Sequence, residues 1–147
     1  MTIRPATPSD ESRIYELICI LESRTLPRDA FSRTYAHNLA ASWVRYLVAE
    51  IDGAVAGFAS VHMDQQLHHA SLVGELQELI VDETVRGRGI GAALLAAAQD
   101  AARAAGCSHM ELNSGFARSA AHAFYERHGW VKDHYNFTYK RWHTEDI

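Results

Sequence analysis

A chain of 147 residues, 48% hydrophobic and 22% charged, has the size and composition of one folded domain, which excludes disordered, collagenous and coiled-coil classes. Fourteen basic against eighteen acidic side chains leave a net charge of −4, the wrong sign for general nucleic-acid binding. No apolar run approaches the roughly 20 residues that span a bilayer, so no membrane partner is expected.

Thr2 to Ala6 reads as a short strand. Thr7-Pro8-Ser9-Asp10-Glu11 reads as a helix start, because Thr can cap, Pro suits the first helical position and acids suit its positive end. Ile14, Leu17, Ile18 and Leu21 follow at helical spacing and give that helix one apolar face. Leu26-Pro27 breaks the chain, and Arg28 to Leu39 reads as a second helix. Arg45 to Ile51 and Ala54 to His62 are β-type runs around Asp52-Gly53, the strongest short hairpin signal in the chain. A histidine-rich stretch follows, through His68 and His69, and then Leu72 to Asp82 reads as a strand rich in Leu, Ile and Val. The Ala-rich run Ala92 to Ala105 is a strong helix former, ended by Gly106. Cys107 to Asn113 is a strand, and Ser119 to His128 a helix with Ala121, Phe124, Tyr125 and His128 on one side. Gly129 is placed to end that helix in a left-handed conformation. Trp130 to Tyr135 and Phe137 to Trp142 read as a last antiparallel pair. No repeat or linker interrupts this order, so residues 1–147 read as a single α/β domain, a mixed sheet with helices on both faces. The N-terminus Met1-Thr2-Ile3-Arg4 lacks a signal-peptide core, and Cys19 and Cys107 read as reduced thiols, so a cytoplasmic location is expected.

The chemistry starts at Arg86-Gly87-Arg88-Gly89-Ile90-Gly91, which follows a strand and opens a helix. Glycines let backbone N–H groups approach a ligand closely, and the first helical N–H groups favour an anion. Two arginines add charged donors, so the loop asks for a phosphate or pyrophosphate. No Lys follows Gly91, which argues against a P-loop, and the Gly-x-Gly-x-Gly spacing departs from the dinucleotide fingerprint.

Leu79-Ile80-Val81 followed by Arg86 to Ala92 resembles the acyl-CoA motif of the GNAT superfamily of N-acetyltransferases. Phe124-Tyr125-Glu126-Arg127-His128-Gly129-Trp130 resembles that superfamily's second signature, and the element order covers essentially the whole chain. Tyr15 to Cys19, Leu67-His68-His69 and Gly74 to Leu79 are similar to the aminoalkylphosphonate N-acetyltransferases of bacterial phosphonate metabolism. So is basic Arg118, seven residues before Tyr125, where many superfamily members carry Asn. The resemblance implies an α+β fold: a mixed, mostly antiparallel sheet of six to seven strands, a splayed fourth and fifth strand, and about four helices on both faces. It implies acetyl-CoA as co-substrate and a small-molecule primary amine as acceptor. Leu79, Ile80 and Val81 would meet the pantetheine arm, and Arg86, Gly87, Arg88, Gly89, Ile90, Gly91 and Ala92 the pyrophosphate. Asn113 is a partner for the arm, and Arg118 for CoA phosphates or an anionic substrate. Other acceptors of the superfamily are polyamines, aminoglycosides, amino acids and protein amines, and a different class is a non-catalytic acyl-CoA sensor.

Acetyl transfer needs a neutral amine, and alkylamines ionise near pH 10. A carboxylate can collect that proton. Glu75 and Glu78 sit in an otherwise apolar central strand, where an acid is costly unless paired. The phosphonate enzymes have an acid matching Glu75, the candidate base or metal organiser, while Glu78 is placed on the substrate side. Strand alternation puts the two on opposite faces unless a bulge intervenes. Tyr125 matches the family's general acid, which returns a proton to the CoA thiolate. Candidates for an anionic substrate are Arg24, Arg28, Arg45, His69 and Arg118, with Arg28 and Phe31 weighted because the helix after Pro27 often lines the acceptor site of this superfamily. The resembling enzymes are associated with divalent metals, but no metal-ligand spacing is recognisable here, and adjacent His68 and His69 diverge if extended. Tyr135, Phe137, Tyr139 and Trp142 form the aromatic face through which the resemblance implies a homodimer.

Overall fold

The computed structural model describes residues 1–140 and 142. They form two units, Met1–Leu112 and the part that begins at Asn113.

The first unit is built on a five-stranded sheet in the order β1-β2-β3-β4-β5. Its strands are β1 (Thr2–Pro5), β2 (Val44–Ile51), β3 (Ala54–Gln66), β4 (Ser71–Val81) and β5 (His109–Leu112). The first four pair antiparallel, and β5 runs parallel to β4. At the β2–β3 turn Asp52 and Gly53 both take positive φ, +50° and +79°, the primed-turn geometry that matches strand twist. β3 runs on to Gln66, so most of the histidine-rich stretch is strand, and only Leu67 to Ala70 form the turn.

Helices α1 (Glu11–Glu22) and α2 (Arg28–Ala40) lie between β1 and β2 in sequence, and α3 (Ile90–Ala104) between β4 and β5. A short 3-10 turn, Pro8–Asp10, leads into α1. Asp10 fixes this entry: it accepts the Thr7 N–H at 2.8 Å and both Arg4 guanidinium arms at 2.8 and 3.0 Å. On one sheet face Ile14, Leu17, Ile18 and Tyr35 pack with Val48, Phe58 and Ile80. On the other, α3 presses Leu94 onto β3 so closely that a Cβ on Gly57 would stand 2.8 Å from Leu94 Cδ1 and 3.1 Å from the Ile80 carbonyl oxygen. Only glycine admits that approach.

Two departures from simple strand order shape the site. Ser60 pairs with Glu78 but Val61 with Leu76, which leaves Gln77 as the extra residue of a β-bulge. The β4–β5 ladder covers only Val73–Leu76 against His109–Leu112, while β4 runs on to Val81. A bulge bends its strand and increases its twist, so β5 cannot follow β4 past it. The edge of Gln77–Val81 turned away from β3 carries no strand among the described residues, as expected of a splayed pair.

In the second unit α4 spans Ser119–Arg127. It ends in a Schellman motif: Trp130 N–H donates to the Tyr125 carbonyl (3.0 Å), Gly129 N–H to that of Glu126 (3.2 Å), and Gly129 takes φ +89°. The expected last strand pair is absent among the described residues, and the sheet has five strands, not six to seven. Aromatic alternation supplies strand propensity, but a strand exists only with a ladder partner, and residues 130–140 have none. Residue 141, inside the second expected strand, lies outside the described residues.

Candidate active site

A cavity of about 250 Å³ opens between α1, α2 and the sheet. Its apolar wall is Ile14, Ile18, Leu26, Phe31, Tyr35 and Phe58, and its polar groups are Glu22, Arg24, Asn38, Tyr46, His62, Gln77 and Glu78. Aromatic rings connect the helices to the floor: Tyr15 to Phe31 (5.0 Å), Phe31 to Tyr35 (6.3 Å), Tyr35 to Tyr46 (5.5 Å) and Tyr46 to His62 (6.3 Å). Tyr46 accepts a hydrogen bond from Asn38 Nδ2 at 2.8 Å, which leaves its own proton free to donate.

The bulge decides the carboxylates. Glu75 pairs with His62 and Glu78 with Ser60, two residues apart on β3, so both acids belong to one face. The opposite-face expectation from simple alternation is therefore corrected: the extra Gln77 shifts the phase. Ser60, fully buried, donates to Glu78 Oε1 and accepts the Glu78 backbone N–H at 3.0 Å. Burial pushes the Glu78 carboxyl above the usual range; Ser60 pulls it back, and Glu22 and Glu75 push it further up. Burial holds His62 below the usual imidazole value, opposed by Glu75, so its ring is neutral near pH 7. A partly desolvated carboxyl that shares its cavity with a neutral imidazole is equipped to take up a proton.

On the other side of the bulge, β4 leads to the glycine loop. Gly87 (φ +83°) and Gly89 (φ +77°) occupy left-handed backbone conformations that other residues adopt at a cost. The first bond of α3 is Ala93 N–H to the Gly89 carbonyl at 3.0 Å, so the amides of Ile90, Gly91 and Ala92 precede the helix's own ladder. Arg86 and Arg88 are exposed beside them. This end of α3 can receive an anion. Leu79, Ile80 and Val81 lie on the segment of β4 that β5 leaves open.

In the second unit Tyr125 packs against Phe124 (5.4 Å) and Trp130 (5.9 Å). Burial raises its phenol above the ordinary value, while the Arg118 guanidinium pulls it down, so Tyr125 holds its proton at neutral pH. Asn113 and Arg118 are exposed and belong to this unit.

Of the expected substrate-side residues, Phe31 and Glu78 line the cavity, as does Arg24. Glu75 shares their sheet face without forming the wall. Arg28 is engaged elsewhere, 3.0 Å from Glu11 and stacked 4.6 Å over the Tyr15 ring. Arg45 donates to the Ser42 carbonyl at 2.6 Å. His69 sits at the β3–β4 turn with His109 and Glu111, apart from the cavity wall. Sequence reading missed Tyr35, Asn38, Tyr46 and His62 as site residues. The alternation of Ser60 and His62 on one face of β3 was the available signal.

The sequence profile of the acetyltransferase (GNAT) family matches residues 12–130, a span that crosses both units. An aminoalkylphosphonate N-acetyltransferase of Salmonella typhimurium is 43% identical over 136 residues, 92% of this chain and 88% of the relative. A putative acetyltransferase from Agrobacterium tumefaciens superposes with a TM-score of 0.85 at 26% identity, over 95% of this chain and 99% of that one. An aminoglycoside N-acetyltransferase solved in complex with CoA shares the fold, with a TM-score of 0.86 at 22% identity over 95% of this chain and 93% of that one. With the bulged β4, the open β4 edge and the glycine loop ahead of α3, these likenesses lead to one assignment: the chain belongs to the acetyltransferase (GNAT) family and is an acetyl-CoA-dependent N-acetyltransferase.

Proposed function

We propose that this enzyme acetylates the primary amine of a small aminoalkylphosphonate. The observation that carries the substrate class is the 43% identity, over 92% of the chain, to a relative of that activity. The cavity supports it. At about 250 Å³ it lies below the roughly 300–1,000 Å³ typical of drug-sized ligands, which suits a compact amine better than an aminoglycoside. It presents the guanidinium of Arg24 for a phosphonate and the carboxylates of Glu22 and Glu78 for an ammonium.

In this reading Arg86, Arg88 and the amides from Gly87 to Ala92 hold the CoA pyrophosphate. The pantetheine arm lies along Leu79–Val81, with Asn113 and Arg118 as further partners. Glu78 takes the ammonium proton, directly or through water. It is favoured over Glu75 because it forms the cavity wall, and Glu75, further along the same face, acts as its charged neighbour. The amine nitrogen then attacks the thioester carbonyl. A β4 backbone N–H stabilises the oxyanion; as the carbonyl re-forms and the C–S bond breaks, Tyr125 protonates the departing thiolate, and the remaining extra proton on the amide nitrogen restores the Tyr125 phenol. The family match across both units supports treating residues 1–147 as one working domain, in keeping with a cytoplasmic acetyl-CoA-consuming enzyme. The exposed Tyr135, Phe137 and Tyr139 offer a homodimer face, which light scattering tests.

The deciding experiment is thiol release from acetyl-CoA with (aminomethyl)phosphonate, 2-aminoethylphosphonate, a polyamine and an aminoglycoside. The phosphonates are expected to give the highest kcat/KM, with Arg24→Ala raising their KM. Turnover of other amines without turnover of either phosphonate rejects the substrate assignment.

A further inference from the structure

At the end of β4 away from the glycine loop, three ligand atoms gather: His69 from the β3–β4 turn, and His109 and Glu111 from β5, all within 4.8 Å of one another. We propose that they form a binding site for a borderline divalent transition-metal ion such as Zn²⁺, with two imidazoles and one carboxylate as protein ligands and the remaining positions open to water. None of the three lines the acceptor cavity, and the proposal does not rest on the substrate reading above.

The backbone brings the ligands together. His109 and Glu111 are two residues apart on a strand, so they share a face, opposite Val73 and Glu75 of the parallel ladder. His69 reaches the same place because the turn is held by its N–H to the Gln66 carbonyl (3.2 Å) and by Ala70 N–H to that of Leu67 (3.0 Å). The His69 and His109 rings meet at 4.4 Å and 73°.

Their separations are those of a coordination shell and not of a closed hydrogen-bond cluster. Glu111 Oε2 stands 3.9 Å from His69 Nε2 and 4.0 Å from His109 Nε2, beyond hydrogen-bond reach of both. Ligands at 2.0–2.2 Å from a tetrahedral ion lie roughly 3.3–3.5 Å apart, so the two Glu111 separations need a contraction of about half an ångström, and the two imidazole nitrogens, within 4.8 Å, one of up to roughly 1.5 Å. Rotation of two exposed imidazoles can supply both.

A second observation points the same way. His109 Nδ1 is 3.0 Å from Ser108 Oγ, which contacts the Leu72 carbonyl at 3.4 Å and Ser71 Oγ at 2.7 Å. With the serine hydroxyl donating to Leu72, its lone pair accepts the Nδ1–H, and the Nε2 lone pair is left toward Glu111. An outer partner on the far ring nitrogen is the usual companion of a metal-binding histidine, and an ion at Nε2 would select this Nδ1–H tautomer. Two nitrogen donors with a single carboxylate select a borderline ion over Mg²⁺ or Ca²⁺, which prefer all-oxygen shells. The ion would tie the β3–β4 turn to β5 at the closed end of the β4–β5 pair.

The test is calorimetric titration of the metal-free 147-residue chain with Zn²⁺, paired with the visible d–d bands of bound Co²⁺. Wild type is expected to bind one equivalent saturably. His109→Ala and Glu111→Gln should each weaken binding at least tenfold and abolish the Co²⁺ bands. His68→Ala, which removes the ring beside His69 but no ligand, should leave both unchanged. Thermal melts of the metal-free variants establish that each is folded. If His109→Ala does not fold, the isosteric Glu111→Gln decides alone. Absence of saturable binding to wild type, or equal affinity in wild type and Glu111→Gln, overturns the proposal.

Discussion

Replacing Gly57 by Ala tests the packing that ties the sheet to the coenzyme loop. The added methyl would meet Leu94 Cδ1 at 2.8 Å and the Ile80 carbonyl oxygen at 3.1 Å, against the roughly 3.5–4.0 Å of an ordinary carbon contact. Leu94 is fully buried, so its shift must be taken up within the core, and overpacking of this kind costs about 1–3 kcal/mol. Alanine recovers about 0.5–1 kcal/mol by restricting the unfolded chain. The net loss is therefore centred on about 1 kcal/mol and reaches at most about 2.5 kcal/mol, or a fall in Tm of up to about 10 °C at this chain length. Ile90 Cγ2, in the first turn of α3, would lie at an ordinary 3.5 Å, so it is the displacement of Leu94 on the same helix that should reach the proposed pyrophosphate loop and raise the KM for acetyl-CoA more than it lowers kcat. Thermal melts and steady-state kinetics of Gly57→Ala, Leu94→Val and the double variant close a thermodynamic cycle. Shortening Leu94 should relieve much of the alanine's cost. A Tm at or above wild type for Gly57→Ala, or strict additivity in the double variant, refutes the packing argument.

Glu78→Gln is expected to lower kcat/KM by about 10²–10⁴ and to remove the acidic limb of its pH profile. Because burial raises the Glu78 carboxyl, that limb in wild type should lie above the ordinary glutamate range, activity rising with pH as the proton leaves. Tyr125→Phe should cut kcat by a similar factor while acetyl-CoA binding, followed by calorimetry, is retained; unchanged turnover removes Tyr125 from the reaction. Asp10→Asn should cost about 1–3 kcal/mol in denaturant melts, because Arg4 loses its carboxylate and Thr7 N–H its charged acceptor. Arg4 holds the Asp10 carboxyl below its ordinary value, so this contribution is full above about pH 4 and lost as pH falls through the depressed value. The Asn variant should therefore lack that acid-side loss, and a parallel pH dependence in the two proteins counts against the pairing.

What could be read in advance was local. Asp52-Gly53 specifies its turn by positive φ at adjacent residues, and Gly87 and Gly89 mark the anion loop for the same reason. Gly129 closes α4 because the Schellman motif needs a left-handed residue after the cap. The missing pieces depended on partners distant in sequence. Nothing near Gln77 marks it as surplus; that status exists only against the register of β3. Tyr135, Phe137 and Tyr139 alternate with polar residues as a strand should, yet a ladder requires a second chain segment. The cluster of His69, His109 and Glu111 joins a turn to a strand 40 residues later, a distance no ligand-spacing motif covers. Tyr46 reads as an ordinary strand aromatic until Asn38 and His62 stand beside it.

The bulge in β4 also has a bearing on how the chain tolerates change. Eleven residues of β4 face ten of β3, so the opening toward β5 rests on a count and not on a composition. Substitution of exposed Gln77 leaves that count intact and should be mild. Deleting Gln77 would keep every cross-strand pair with β3 in place, with Glu78 still opposite Ser60, but would remove the bend that turns β4 from β5. The two strands could then zip together across the space proposed for the pantetheine arm. A protein folded as stably as its parent but closed to its coenzyme is the signature expected of that one-residue deletion.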